Sequence, residues 1–172
     1  MLTYKDFTQF FGKPINDEKF QEFLKTWFSD LDISEYSDFE FSYISSKAQN
    51  LSMGFEPDEN MKYEDDDEND MEEDDEDEKS LGTGQFAVIN IYPSTTLINP
   101  LPFTVTFRDN RAAVIQKAGN PTQTKGGNGE IFLVDNYKVS EDVIVTFDYN
   151  AKKETLNFIQ IRDNNLFPTI SL

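Results

Sequence analysis

Histidine and cysteine are both absent from the 172 residues. Without imidazole the chain lacks the usual general base and the usual nitrogen ligand for metals, and every Ser-His-Asp or Cys-His arrangement is excluded. Without thiol there is no disulfide and no thiolate chemistry, and tetrahedral zinc in its common forms is excluded too. Long apolar runs are missing as well: none approaches the ~20 residues a membrane-crossing helix needs. The opening Met1-Leu2-Thr3-Tyr4-Lys5-Asp6-Phe7 has neither the basic nor the apolar region of a secretory signal. The expected address is the cytoplasm, with no membrane partner.

Positive charge is scarce: 15 basic residues face 33 acidic ones, for a net charge of −18. Most of that imbalance is local. Glu64–Glu78 holds thirteen acidic residues in fifteen positions, and without it twenty acidic face fifteen basic residues, a net of −5. The remainder reads as an ordinary domain carrying a charged strip. Such a chain is repelled by nucleic acid and by anionic membrane, both bound through Lys and Arg, and attracted to basic proteins and cations.

Aromatics are plentiful. Sixteen Phe, seven Tyr and one Trp supply a core, because each buried ring removes a large apolar area from water. Thr3 reads as a helix cap with Asp6 as its capping-box partner, and Phe7, Phe10 and Phe11 follow at helical spacing before Gly12-Lys13-Pro14. A second helix starts from Asn16 as cap and carries the stripe Phe20, Phe23, Leu24, Trp27, Phe28. Alternation then takes over. Phe39, Phe41 and Tyr43 predict one strand and Leu51, Met53 and Phe55 its hairpin partner. Phe86–Tyr92 predicts a denser strand closed by Pro93, and Phe103–Phe107 another alternating strand. Asp109 or Asn110 caps a short helix reaching Ala118, ended by Gly119-Asn120-Pro121; Lys125-Gly126-Gly127-Asn128-Gly129 reads as a flexible turn. Strands are expected at Ile131–Val134, Val143–Tyr149 and Leu156–Ile161.

The resulting expectation is an α+β fold with N-terminal helices packed on an antiparallel sheet. Its organisation is an N-terminal half over 1–92, with a disordered acidic insert at 58–80, and a strand-helix-three-strand half over 101–172, together one compact unit. Gly-x-Pro closes a helix in both halves, so two similar helix-then-three-strand units would explain the pattern. The simpler reading is that Gly-x-Pro is a common helix stop.

Candidate chemistry is sparse. Glu130, Asp135, Glu141, Asp142, Asp148 and Asp163 fall mostly at strand ends or turns, where solvated acids are normal. The glycine clusters lack the Gly-Lys-Ser/Thr ending of a phosphate loop. Asp65, Asp67, Asn69 and Glu76 match positions 1, 3, 5 and 12 of a calcium-binding loop, but Asp70 stands where that loop needs glycine, so no dedicated metal site is assigned. The chain is read as non-enzymatic, with no cofactor. Candidate partner-binding residues are Glu64, Asp65, Asp66, Asp67, Glu68, Asp70, Glu72, Glu73, Asp74, Asp75 and Tyr63, with Phe39–Tyr43 as further aromatic candidates. A strip this long is either a solvated loop or an electrostatic lure for a basic partner.

Leu101-Pro102-Phe103-Thr104-Val105-Thr106-Phe107-Arg108-Asp109-Asn110-Arg111, continuing to Ala118-Gly119-Asn120-Pro121, carries a resemblance. The segment and the strands after it resemble small cytoplasmic immunity proteins of bacterial polymorphic and contact-dependent toxin systems. The helix-then-strands unit is similar to the helix-plus-antiparallel-sheet modules of the β-lactamase inhibitor protein fold. The resemblance implies a protein-binding inhibitor that neutralises a cognate toxin by occluding it; the chain's acidity adds the expectation that the toxin presents a basic surface. Immunity proteins share no site motif, so it assigns no residue a role. An adaptor or chaperone-like module for a secreted protein, and an acidic-loop cation-binding protein, are the alternatives.

Overall fold

Ten residues from Glu18 to Trp27 form the main N-terminal helix, and the reason is visible at its start. Asp17 accepts from the Lys19 and Phe20 amides at 3.1 and 3.0 Å, satisfying donors that have no partner within the helix. The cap is therefore Asp17 and not Asn16: the first helical residue lies one position later than expected. The computed structural model describes residues 1–57, 82–127 and 129–166. In chain order it contains α1 (Lys5–Thr8), α2 (Glu18–Trp27), β1 (Leu31–Asp32), β2 (Ser42–Ser46), β3 (Leu51–Glu56) and β4 (Gln85–Ile91). A 3-10 turn (Pro102–Thr104) precedes α3 (Arg111–Ala118), β5 (Gln123–Gly126), β6 (Phe132–Lys138), β7 (Val143–Asn150) and β8 (Leu156–Asp163).

All eight strands form one antiparallel sheet in the order β1-β2-β3-β4-β8-β7-β6-β5. The fold is α+β, with the N-terminal helices leading into the sheet. Two units, each a helix followed by four strands, meet where β4 pairs with β8. Expectation gave three strands per unit; the fourth in each is a short edge strand, β1 or β5. The topological repeat does not follow the Gly-x-Pro echo, because Gly12-Lys13-Pro14 precedes α2 whereas Gly119-Asn120-Pro121 follows α3.

α1 is a single turn. Asp6 reaches back to the Thr3 amide and hydroxyl at 2.7 and 2.8 Å, which is the carboxylate half of the expected capping box. The bond from the Thr3 amide, with that from its hydroxyl, holds the Asp6 carboxyl below its ordinary value. A depressed folded-state value contributes stability that is complete above the unfolded value near 4 and is lost as pH falls through the folded one. Asp6→Ala is expected to cost about 1 kcal/mol at neutral pH. Urea unfolding at a series of pH values should show that difference shrinking below about pH 4.

The core lies between the helices and one face of the sheet. Phe20 stacks on Phe10 at 4.9 Å and meets Phe86 and Phe55 at 5.0 and 6.2 Å. Phe103, Tyr137 and Phe147 make the corresponding cluster in the second unit, with centroids 5.4 to 6.2 Å apart. The strand expected over Phe103–Phe107 is absent. Phe103 and Thr104 have φ of 55° and 56°, a left-handed backbone no strand can use, and the turn drops Phe103 onto the aromatic cluster.

The face of β2 is also the reverse of expectation. Ser42, Ile44 and Ser46 point to the core and Tyr43 points away, while Phe39 precedes the strand and is 55% exposed. The buried hydroxyls are satisfied: Ser42 donates to the Ser37 carbonyl at 2.9 Å and Ser46 to the Asp30 carboxylate.

Candidate functional site: the polar row across the sheet

On the face turned away from the helices, strand register aligns one polar side chain from every strand. Asp32 pairs with Ser45, Ser45 with Ser52, Ser52 with Asn90, and Asn90 with Gln160. Gln160 pairs in turn with Thr146, Thr146 with Asn136, and Asn136 with Gln123. The row therefore crosses all eight strands, and the junction between the two units falls between the amides Asn90 and Gln160. Its central members are buried: Asn90 is 5% exposed, Asn136 3% and Thr146 6%.

Arg162 sits in the neighbouring row, between Val88 on β4 and Ile144 on β7, and is 2% exposed. Its side chain ties β6, β7 and β8 of the second unit together. One guanidinium nitrogen bonds Thr146 and, at 3.2 Å, the Gln160 side-chain oxygen; the other reaches Asn136 at 3.2 Å. No carboxylate pairs with it among the described residues, and its Nε finds no acceptor. Burial pushes the guanidinium down to about 10, so it remains a cation at neutral pH. A buried cation with no carboxylate partner among the described residues is costly.

Guanidinium has no acceptor, and that fixes the direction of every bond around it. Gln160 must turn its oxygen to Arg162. Its amide nitrogen then donates to Asn90 Oδ1 at 3.0 Å, and Asn90 Nδ2 donates to Ser52 Oγ at 3.2 Å. On the other side Thr146 donates to Asn136 Oδ1 at 2.7 Å. Donors point outward along the Gln160 arm, and bonds aligned in this way polarise one another; the Thr146 arm closes on Asn136 Oδ1, which also accepts from Arg162.

The arm through Gln160 ends in a groove of about 520 Å³. Ser52, Asn90 and Gln160 contribute to it beside the rings of Tyr43, Tyr92 and Phe158, with Lys47 and Glu35 also lining it. Tyr92 and Phe158 sit 5.9 Å apart. Tyr43 is held by Phe41, edge-on at 4.9 Å, over Gly54, where a Cβ would come within 2.7 Å of the Phe41 ring and 3.0 Å of the Tyr43 ring. Burial, partly opposed by a bond from Asn90, raises the Tyr43 phenol above its ordinary value, so it remains a donor.

The opposite face holds the buried ion pair. Asp135, with no exposure, accepts from Arg111 Nε and Nη2 at 2.7 and 2.9 Å and from Thr124 at 2.6 Å. The reading of Asp135 as a solvated acid is thus overturned: pairing with Arg111 allows the carboxylate to be buried. Asp163 is likewise 7% exposed and accepts from the Asn165 amide.

None of the acidic-strip candidates from Glu64 to Asp75, nor Tyr63 or Glu76, falls within the described residues, and the matched loop positions Asp65, Asp67 and Asn69 lie outside them too. Of the aromatic candidates, Tyr43 reaches the groove and Phe39 lies on the surface. Among the described residues no cluster of three or more acidic side chains is placed to hold a metal ion. No helix among them is long and apolar enough to cross a membrane.

The row residues escaped the sequence reading, although Asn90 inside the apolar run Phe86–Ile91 and Arg162 after Ile161 were available signals.

By fold and site, the chain is an α+β protein built on one antiparallel sheet, with a hydrogen-bonding row on the face turned away from the helix-packed core. No protein-family model matches the chain, and no curated protein matches it. Among solved structures it is similar to a DUF4309 family protein (YjgB) from Bacillus subtilis, at a TM-score of 0.45 and 7% identity, covering 83% of this chain and 76% of that one.

Proposed function

We propose that the chain is a non-enzymatic protein-binding inhibitor, an immunity protein that neutralises a cognate bacterial toxin by occluding it. The polar row across the sheet is the observation that carries this reading. Interfaces need directional hydrogen bonds supported by rigid neighbours; the accessible row members Asp32, Ser45, Gln123 and Gln160 supply them, held in register by the buried Asn90, Thr146 and Asn136. The repeated helix-plus-four-strand unit supports the similarity to the β-lactamase inhibitor protein modules. The acidic strip enters the chain between β3 and β4, and its negative field would draw in a basic surface such as the groove of a nuclease.

Growth of cells producing the toxin encoded beside this chain tests the proposal: co-production should restore growth, and failure to restore it rejects immunity. Deleting residues 64–78 should slow association with that toxin by about tenfold or more at low salt and leave it unchanged at high salt, where charges are screened. A stopped-flow rate that ignores the deletion at every salt concentration removes the recruiting role.

A further inference from the structure

We infer that the groove over Ser52, Asn90 and Gln160 is a carboxylate-binding site, taking a singly charged carboxylate attached to an aromatic or aliphatic body. The site stands on hydrogen-bond direction and is independent of the toxin reading.

Three observations converge on that ligand. The first is the terminal donor. Ser52 Oγ accepts from Asn90, and among the described residues its own proton has no acceptor, so it is available to a ligand. Tyr43 lines the same groove. The second is charge. Arg162 is a single buried positive charge with no carboxylate of its own, and the amides of Gln160 and Asn90 carry its polarity to the groove without exposing it. One such charge, delivered through neutral dipoles, balances one negative charge; Lys47 and Glu35, which also line the groove, offset each other, so the groove lacks the cluster of cations that a phosphate dianion calls for. The third is shape. The rings of Tyr43, Tyr92 and Phe158 supply an apolar lining beside the donor floor, and a pocket of a few hundred Å³ lined in this way fits a small organic anion.

The net charge of −18 opposes any anion, but at physiological ionic strength the screening length is about 8 Å. The fixed donors at contact distance therefore decide the balance.

Titration of the ¹⁵N-labelled full chain with phenylacetate, 2-phenylethanol, 2-phenylethylamine and inorganic phosphate at physiological salt tests the site. Phenylacetate should shift the amide signals of Ser52, Asn90 and Gln160 saturably and bind about tenfold more tightly than each of the other three. Ser52→Ala, which removes the terminal donor at the groove and leaves the Arg162 bonds in place, should weaken phenylacetate by about tenfold without changing the affinity for 2-phenylethanol, and should lower the melting temperature by a few degrees because the Asn90 amide loses its acceptor. Equal binding of the acid and its neutral alcohol would overturn the inference. So would tighter binding of the amine or of phosphate, the absence of a saturable shift, or an unchanged affinity in Ser52→Ala.

Discussion

Arg111→Ala should lower the unfolding free energy by about 3 kcal/mol, read as a leftward shift of the guanidinium chloride midpoint and a fall of roughly 10 °C in Tm. Asp135 has no exposure, and its carboxylate is held in place by both Arg111 nitrogens and by Thr124. Without the guanidinium the negative charge stays where water cannot reach it, and removing one partner of a buried pair costs about 3–5 kcal/mol. The lower end applies because the Arg111 side chain is 25% exposed. The bond from Asp135, net of partial burial, raises Arg111 above its ordinary value, so the guanidinium keeps its charge as pH rises. Arg111→Lys should recover part of the loss, since an ammonium restores the charge but not the two-pronged geometry. Adding Asp135→Asn to Arg111→Ala should recover about half of it, because a neutral amide is cheaper to bury than an unpaired carboxylate. If Arg111→Ala costs under about 1 kcal/mol, the pair is an ordinary surface contact.

The parts of the fold legible in the sequence are those where one element alone specifies its buried face. Phe20 and Leu24 recur at helical spacing, and Leu51, Met53 and Phe55 alternate; all are buried. β1 and β5 were illegible because two residues in one and Gln-Thr-Lys-Gly in the other carry no apolar pattern; they are strands only because β2 and β6 offer them an edge. Phe103–Phe107 failed in the opposite sense. Its alternation is real, but Pro100 and Pro102 lead into a turn that satisfies the aromatics without a strand. Tyr43 misled because small hydroxyls flanking Ile44 found buried partners and turned β2 over. The polar row was invisible for a different reason. Read one strand at a time, Ser52, Asn90, Gln160 or Thr146 is merely the solvent side of an alternation. Only inter-strand register, a property of the assembled sheet, puts them on one line, and only long-range pairing places Arg162 between Val88 and Ile144.

Arg162→Met is expected to fold more stably than the natural chain, by about 1–2 kcal/mol, while losing its preference for a carboxylate. Two terms decide the sign. Burial drives the guanidinium down to about 10 from 12.5, which corresponds to about 3 kcal/mol against the charged form. Against that, the variant leaves the Gln160 oxygen without its donor, at about 1–2 kcal/mol for a buried acceptor; Asn136 keeps its bond from Thr146. Methionine retains an unbranched stem between Val88 and Ile144, so little packing is lost. The net gain should appear as a rise of roughly 3–6 °C in Tm. With no fixed cation the Gln160 amide can turn over, so outward donation at Ser52 loses its enforcement and phenylacetate should bind no better than 2-phenylethanol. A variant that melts earlier would mean that the three bonds from Arg162 outweigh its desolvation and that the residue is a structural tie among β6, β7 and β8. A variant that melts later but keeps its selectivity would separate the groove from the arginine. A later melting point together with lost selectivity identifies a residue retained against its own folding cost, which is the mark of a binding function.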